Sequence, residues 1–242
     1  MERSKGSPPA RRRGTEMETI KLDIPGTDDF FIQEAYKVLR TNLQFCGQNI
    51  RVVALTSCNE NEGKTTVTLH LAKSLSELGK KVLVIDADMR KSVMAGRNTT
   101  AKNTLGLSEV LTGIDKLANC IYATQYPSLQ LMFSGQYPPN PVELLSGSYF
   151  SSLITEAKKV YDYILIDTPP LGQVVDAAVI APNCDGVIMV IGGGKIRCGQ
   201  AQQVVSQIEK SGTKILGVVR NSTKKSGGSK YYYRDKYGYG YR

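Results

Sequence analysis

No tryptophan occurs in the chain, and His70 is its one histidine. A structural zinc site draws on clustered Cys and His ligands, yet the five cysteines, at positions 46, 58, 120, 184 and 198, form no Cys-x-x-Cys pair. Their odd number and irregular spacing argue against both a zinc cage and a disulfide framework, and point to a reduced, cytosolic chain. Missing too is any apolar run near the ~20 residues that cross a bilayer. The basic N-terminus leads into polar sequence instead of the apolar core of a signal peptide. Membrane association is therefore expected to be borrowed from a partner.

A basic face is lacking as well, although the net charge of +9 first reads as a nucleic-acid signal. Residues 1–13 carry five basic side chains and one acid, and residues 224–242 carry six and one, so the two ends hold +4 and +5. The body between them is neutral. Charge confined to tails suits a membrane surface, an acidic partner or solubility, and no nucleic-acid partner is expected.

The 242 residues suffice for one large domain with a single core. Residues 1–29 are rich in Pro, Gly, Arg, Ser and Thr and are expected to be disordered, with Met17 a second possible start. From Phe31 to Phe45 the apolar positions Phe31, Ala35, Val38, Leu39 and Leu43 recur at helical spacing. Short β-branched runs then follow at 51–56, 81–86, 129–133, 163–167, 186–191 and 214–219, separated by amphipathic segments at 63–78, 148–160 and 200–211. Continuous apolar strands alternating with helices imply an α/β fold whose mostly parallel sheet is covered by helices on both faces. The domain is expected to span residues 30–223, and residues 224–242 to form a flexible tyrosine-rich tail.

The strand ending at Thr56 runs into Ser57-Cys58-Asn59-Glu60-Asn61-Glu62-Gly63-Lys64-Thr65-Thr66 and then into a helix. Strand, tight loop, Gly-Lys-Thr and helix is the P-loop NTPase context. Backbone N–H groups from Asn61, Glu62 and Gly63 to Thr66 wrap the phosphates of ATP, Lys64 reaches the β- and γ-phosphates, and Thr65 ligates Mg²⁺. Cys58 stands where the first glycine usually falls, and Asn61 where glycine is common; Asn tolerates positive φ, so the loop can close. Taken alone, Gly-Lys-Thr also fits an ordinary surface lysine beside a helix start. Two later strands end in Asp86-Ala87-Asp88 and in Asp167-Thr168-Pro169-Pro170. Ligands of open parallel sheets sit beyond the carboxyl ends of the strands, so three acids meet the P-loop there. They need a cation, and Mg²⁺ fits, with Asp167 as the Walker B acid, Asp88 on the metal directly or through water, and Asp86 left as base or metal orienter.

The run from Glu34 to Leu43, the P-loop, Asp86 to Lys91, Asn140 to Ser146, Tyr161 to Pro170 and the tyrosine tail together resemble, in that order, the bacterial tyrosine kinases of capsule and exopolysaccharide systems. The likeness covers residues 30–242. It implies an ATP-dependent, non-specific protein-tyrosine kinase that phosphorylates its own C-terminal cluster, Tyr231, Tyr232, Tyr233, Tyr237, Tyr239 and Tyr241, in trans within an oligomer. Asp86 maps onto the family's catalytic base. A Glu-x-x-Arg-x-x-Arg helix that joins subunits into a ring maps onto Glu34, Lys37 and Arg40, with Lys replacing the middle Arg and losing its planar fork. Further departures are Ser92 where Pro is common and Arg220 where an apolar residue usually precedes Asn221. Asn221 corresponds to an adenine-contacting Asn of related ATPases. Implied partners are a transmembrane polysaccharide co-polymerase-type adaptor that recruits the chain to the inner face of the plasma membrane, a cognate tyrosine phosphatase, and protein tyrosine substrates. Two rival readings share the fold: a MinD/ParA-like ATPase switch, and an inactive nucleotide-binding scaffold. The switch proteins carry an extra early P-loop lysine where this chain has Asn59, and they lack a tyrosine tail.

Overall fold

The computed structural model describes residues 17–97, 104–193 and 198–221. Among these, an eight-stranded sheet runs in the order β1-β4-β5-β3-β6-β2-β7-β8. The strands are β1 (Thr19–Ile20), β2 (Val52–Ser57), β3 (Val82–Asp86), β4 (Tyr122–Thr124), β5 (Leu129–Met132), β6 (Tyr163–Asp167), β7 (Gly186–Gly192) and β8 (Ile215–Asn221). Every neighbouring pair is parallel except β4 with β5.

The β-branched runs form the sheet centre because both faces are buried. Along β2, Val52 and Ala54 join one core cluster while Val53 and Leu55 join the other; β3 splits the same way, Leu83 and Ile85 against Val82 and Val84. That is the two-residue strand period read in three dimensions. Helices α1 (Phe30–Phe45) and α2 (Lys64–Ser76) cover one face. The other carries α3 (Leu107–Leu111), α4 (Pro141–Ser146), α5 (Ser148–Ala157), α6 (Asp176–Ile180) and α7 (Cys198–Lys210). Asp29 starts α1 by accepting from the N–H groups of Phe31 (2.9 Å) and Ile32 (3.2 Å), which satisfies two of the donors that a helix start leaves unpaired.

The expected disorder of residues 1–29 is corrected for its second half. β1 pairs with β4, the side-chain amide of Gln125 bonds both backbone groups of Leu22, and the N–H of Asp23 donates to the carbonyl of Arg97 at 2.8 Å. Ile20, Leu22 and Ile24 are buried. Their every-second-residue spacing is a strand signal that the polar composition of the whole segment averaged away. Residues 1–16 lie outside the described residues, as does the tail from residue 222.

Candidate nucleotide and phosphoryl-transfer site

β2, β3 and β6 are adjacent in the sheet, so their C-terminal ends deliver the P-loop and two acidic loops to one place. Asp86 and Asp167 are register partners on β3 and β6. The P-loop closes through two left-handed residues, Asn61 at φ 61° and Gly63 at φ 86°. At Gly63 a side chain is excluded twice, by that φ and by the Asn221 amide nitrogen 1.9 Å from where a Cβ would sit. Asn221 Nδ2 donates to the carbonyl of Glu62 at 3.0 Å, tying the end of β8 to the loop. The Glu62 carboxylate turns inward and accepts from the N–H groups of Cys58 (2.8 Å) and Asn59 (3.0 Å). Its side chain braces the loop from within.

A pocket of about 420 Å³ opens over this loop, lined by Asn61, Gly63, Lys64, Thr65, Thr66 and Asn221 together with Asp88 and Arg90. Lys64 Nζ lies 3.5 Å from Asp88 Oδ2, and Thr65 Oγ1 donates to Asp167 Oδ2 at 2.5 Å. Asp86 and Asp167 are not pocket-lining; both are 1% exposed. Burial foremost, then repulsion from Asp167, pushes the Asp86 carboxyl up to about 7, against hydrogen bonds from Ser92 and the Asp88 N–H that favour its charged form. Burial likewise raises Asp167 to about 6, opposed chiefly by the charge of Lys64 and by the Thr65 hydrogen bond. Oxygen donors from Thr65, Asp88 and Asp167 fit Mg²⁺, which takes few protein ligands and retains waters. No group of three or more His, Cys, Asp or Glu among the described residues forms a metal cage by itself.

Comparison with known proteins agrees with this arrangement. A family profile described as an AAA domain matches residues 50–216. Tyrosine-protein kinase CpsD from Streptococcus agalactiae is 43% identical over 194 residues, covering 80% of this chain and 85% of that protein. The chain belongs to the bacterial tyrosine kinase family. The kinase domain of Escherichia coli tyrosine kinase ETK superposes with a TM-score of 0.80 at 30% identity, covering 96% of this chain and 89% of that one. The septum site-determining protein MinD from Pyrococcus horikoshii, solved with Mg-ADP, shares the fold at a greater distance. Its TM-score is 0.57 and its identity 28%, over 69% of this chain and 68% of its own. This is a P-loop fold with a nucleotide pocket.

In this kinase-family chain four pocket groups stand beside those expected from the sequence. Arg90 Nε reaches both carboxylate oxygens of Asp176, at 3.0 and 3.3 Å, and Asp176 is fully buried at the start of α6. Arg97 Nη2 donates to Thr66 Oγ1 at 3.1 Å. Lys91 and Glu60, both exposed, pair at 2.8 Å between the loop after β3 and the P-loop. Arg90 and Lys91 follow Asp86-Ala87-Asp88 after one residue, Met89, so two cations after the acidic strand end were a usable signal; nothing local marks Arg97. Of the expected subunit-joining residues, Lys37 pairs with Glu34 on its own helix at 2.6 Å, and Arg40 Nη1 turns onto α2, donating to the carbonyl of Ser74 at 2.7 Å. The six tail tyrosines lie outside the described residues.

Proposed function

We propose that this chain is an ATP-dependent protein-tyrosine kinase that phosphorylates its own C-terminal tyrosines, in trans within an oligomer, in a capsule or exopolysaccharide system. The observation that supports it most is the meeting of Lys64, Thr65 and Asp88 on the wall of one pocket, with the buried Asp167 bonded to Thr65 and the buried Asp86 its register partner. Lys64 holds the β- and γ-phosphates, and backbone N–H groups from Asn61 to Thr66 wrap them. Thr65, Asp88 and Asp167 would hold Mg²⁺, which when bound neutralises charge on the phosphate oxygens. The tyrosyl oxygen forms the new bond to the γ-phosphorus, the bond to the ADP oxygen breaks, and the phenolic proton passes to Asp86. A phenol of pKa about 10 needs only a carboxylate that takes its proton late in the transfer. Asn221, at the pocket edge, contacts the base of the nucleotide.

Glu34, Lys37 and Arg40 on α1 join subunits into a ring. A transmembrane adaptor brings the chain to the inner face of the plasma membrane, since no helix among the described residues is long and apolar enough to cross a membrane. A cognate phosphatase reverses the modification. The greater likeness to ETK and CpsD than to MinD favours this reading over an ATPase switch. Incubation of the full chain with Mg²⁺ and ATP, an anti-phosphotyrosine blot and mass mapping test it. Phosphate on Tyr231 to Tyr241 is the expected result; ATP turnover without phosphotyrosine overturns it in favour of the switch, and neither activity in favour of the scaffold.

A further inference from the structure

We propose that Ser92 is a positioning residue for phosphoryl transfer, fixing the Asp86 carboxylate in one orientation; the inference rests on the kinase reading and on the part of Asp86 in it. The oxygen of the Ser92 hydroxyl accepts from the backbone N–H groups of Met94 (3.2 Å) and Ala95 (3.4 Å). Those two contacts occupy its lone pairs and leave its single proton one direction to take. That proton is donated to Asp86 Oδ2. The other carboxylate oxygen, Oδ1, accepts from the N–H of Asp88 at 3.1 Å. Each oxygen of Asp86 thus has its own fixed donor, and both donors come from the loop that follows β3.

The end of an aspartate side chain turns about a broad, roughly two-fold torsion, so a carboxylate without donors samples many orientations. Transfer depends on aligned reacting groups, and small misplacements cost rate out of proportion. A serine whose only task was to open the 3₁₀ turn Ala95–Arg97 would need the two N–H contacts alone. Its proton would be free for water, whereas here it is spent on a carboxylate that is 1% exposed. The same loop carries Val93 and Arg97 on the pocket wall, so Ser92 ties the acid to the surface that meets the substrates.

The test is steady-state phosphorylation, by the full chain with Mg²⁺ and ATP, of a synthetic peptide with the sequence of residues 228–242. For Ser92→Ala, kcat is expected to fall about 10- to 100-fold, the worth of one hydrogen bond to a charged group, while KM for ATP stays within about threefold. Ser92→Thr, which keeps the hydroxyl, restores most of kcat. A Ser92→Ala enzyme with wild-type kcat overturns the proposal. So does a loss of ATP affinity in step with kcat that threonine does not rescue, because that pattern marks loop folding only. A wild-type chain that leaves the peptide unlabelled strikes the kinase reading itself, and this control is read before any variant.

Discussion

Asp86→Asn should stabilise the metal-free protein at alkaline pH and destabilise it slightly at acid pH. The carboxyl of Asp86 is buried and pushed from an ordinary 3.8 to about 7, so the folded protein holds this proton more tightly than the unfolded chain does. Stability is then complete below about pH 4 and is lost as pH rises through 7. Three units at about 1.4 kcal/mol each make the charged form cost on the order of 4 kcal/mol by pH 8. Asparagine removes that charge and can still accept from Ser92. Its second polar atom is an amide nitrogen, however, facing the Asp88 N–H that now donates to Asp86 Oδ1. The mismatch costs about 1 kcal/mol.

The net gain is therefore about 3 kcal/mol at pH 8, against a loss of about 1 kcal/mol at about pH 3, where the carboxyl is neutral in the folded protein and mostly neutral in the unfolded chain. For a domain of this size that corresponds to roughly +6 to +12 °C and −2 to −4 °C in melting temperature. Thermal melts of both proteins in chelator across pH 3–8 should cross once, at about pH 4.5. Asp167, raised to about 6 in the wild type, leaves a residual slope in both curves. Parallel curves would refute the reasoning, since they would mean that Asp86 carries no buried charge. Adding Mg²⁺ and ATP should flatten the wild-type curve more than that of the variant, because the cation offsets a charge only the wild type has.

Lys64→Ala should weaken ATP and ADP binding about 10- to 100-fold by calorimetry, the loss of one charge-assisted phosphate contact; unchanged affinity would remove Lys64 from the phosphate site. Changing Tyr231, Tyr232, Tyr233, Tyr237, Tyr239 and Tyr241 together to Phe should abolish most autophosphorylation while leaving phosphorylation of an added wild-type tail intact, and strong labelling of Tyr36 or Tyr161 would contradict it. Phosphorylation of six sites shifts a tail of net +5 by roughly −9 to −12 at neutral pH, so light scattering should find a large species for Asp86→Asn and a smaller one for the phosphorylated wild type. Equal masses at matched salt would end that idea.

The sheet centre was legible because nothing competes with its signal. Strands such as Val52–Ser57 and Tyr163–Asp167 carry unbroken apolar runs, 52–55 and 163–166, and each lies within one residue of its expected limits. β1 and β4 are two and three residues long, too short for a period to stand out, and the helices at 107–111, 141–146 and 176–180 span little more than a turn. Such pieces exist because tertiary contacts hold them: Gln125 clamps Leu22, and Phe133 O accepts from the N–H group of Leu107 at the start of α3. Local sequence does not encode partners that lie tens of residues away or, for Leu22 and Gln125, 103.

The site divides along the same line. Lys64, Thr65, Asp88 and Asp167 were legible because a P-loop and acidic strand ends have fixed places relative to a parallel sheet. Side-chain direction was not. Glu62 lies in the loop yet faces its own backbone, and Arg40 lies on the expected helix yet reaches Ser74 of α2. Both follow from burial: the Glu62 side chain is 7% exposed among amides needing an acceptor, and a guanidinium beside the C-terminal half of α2 finds a carbonyl there. A subunit contact through Arg40 therefore has to outcompete a hydrogen bond of 2.7 Å within the monomer, whereas Glu34 and Lys37 give up only an exposed pair worth little in water. If α1 joins subunits, its affinity comes mainly from what surrounds these charges. Phe31, Val38 and Phe45, exposed and seven residues apart along the helix, supply the apolar area that such a contact would bury.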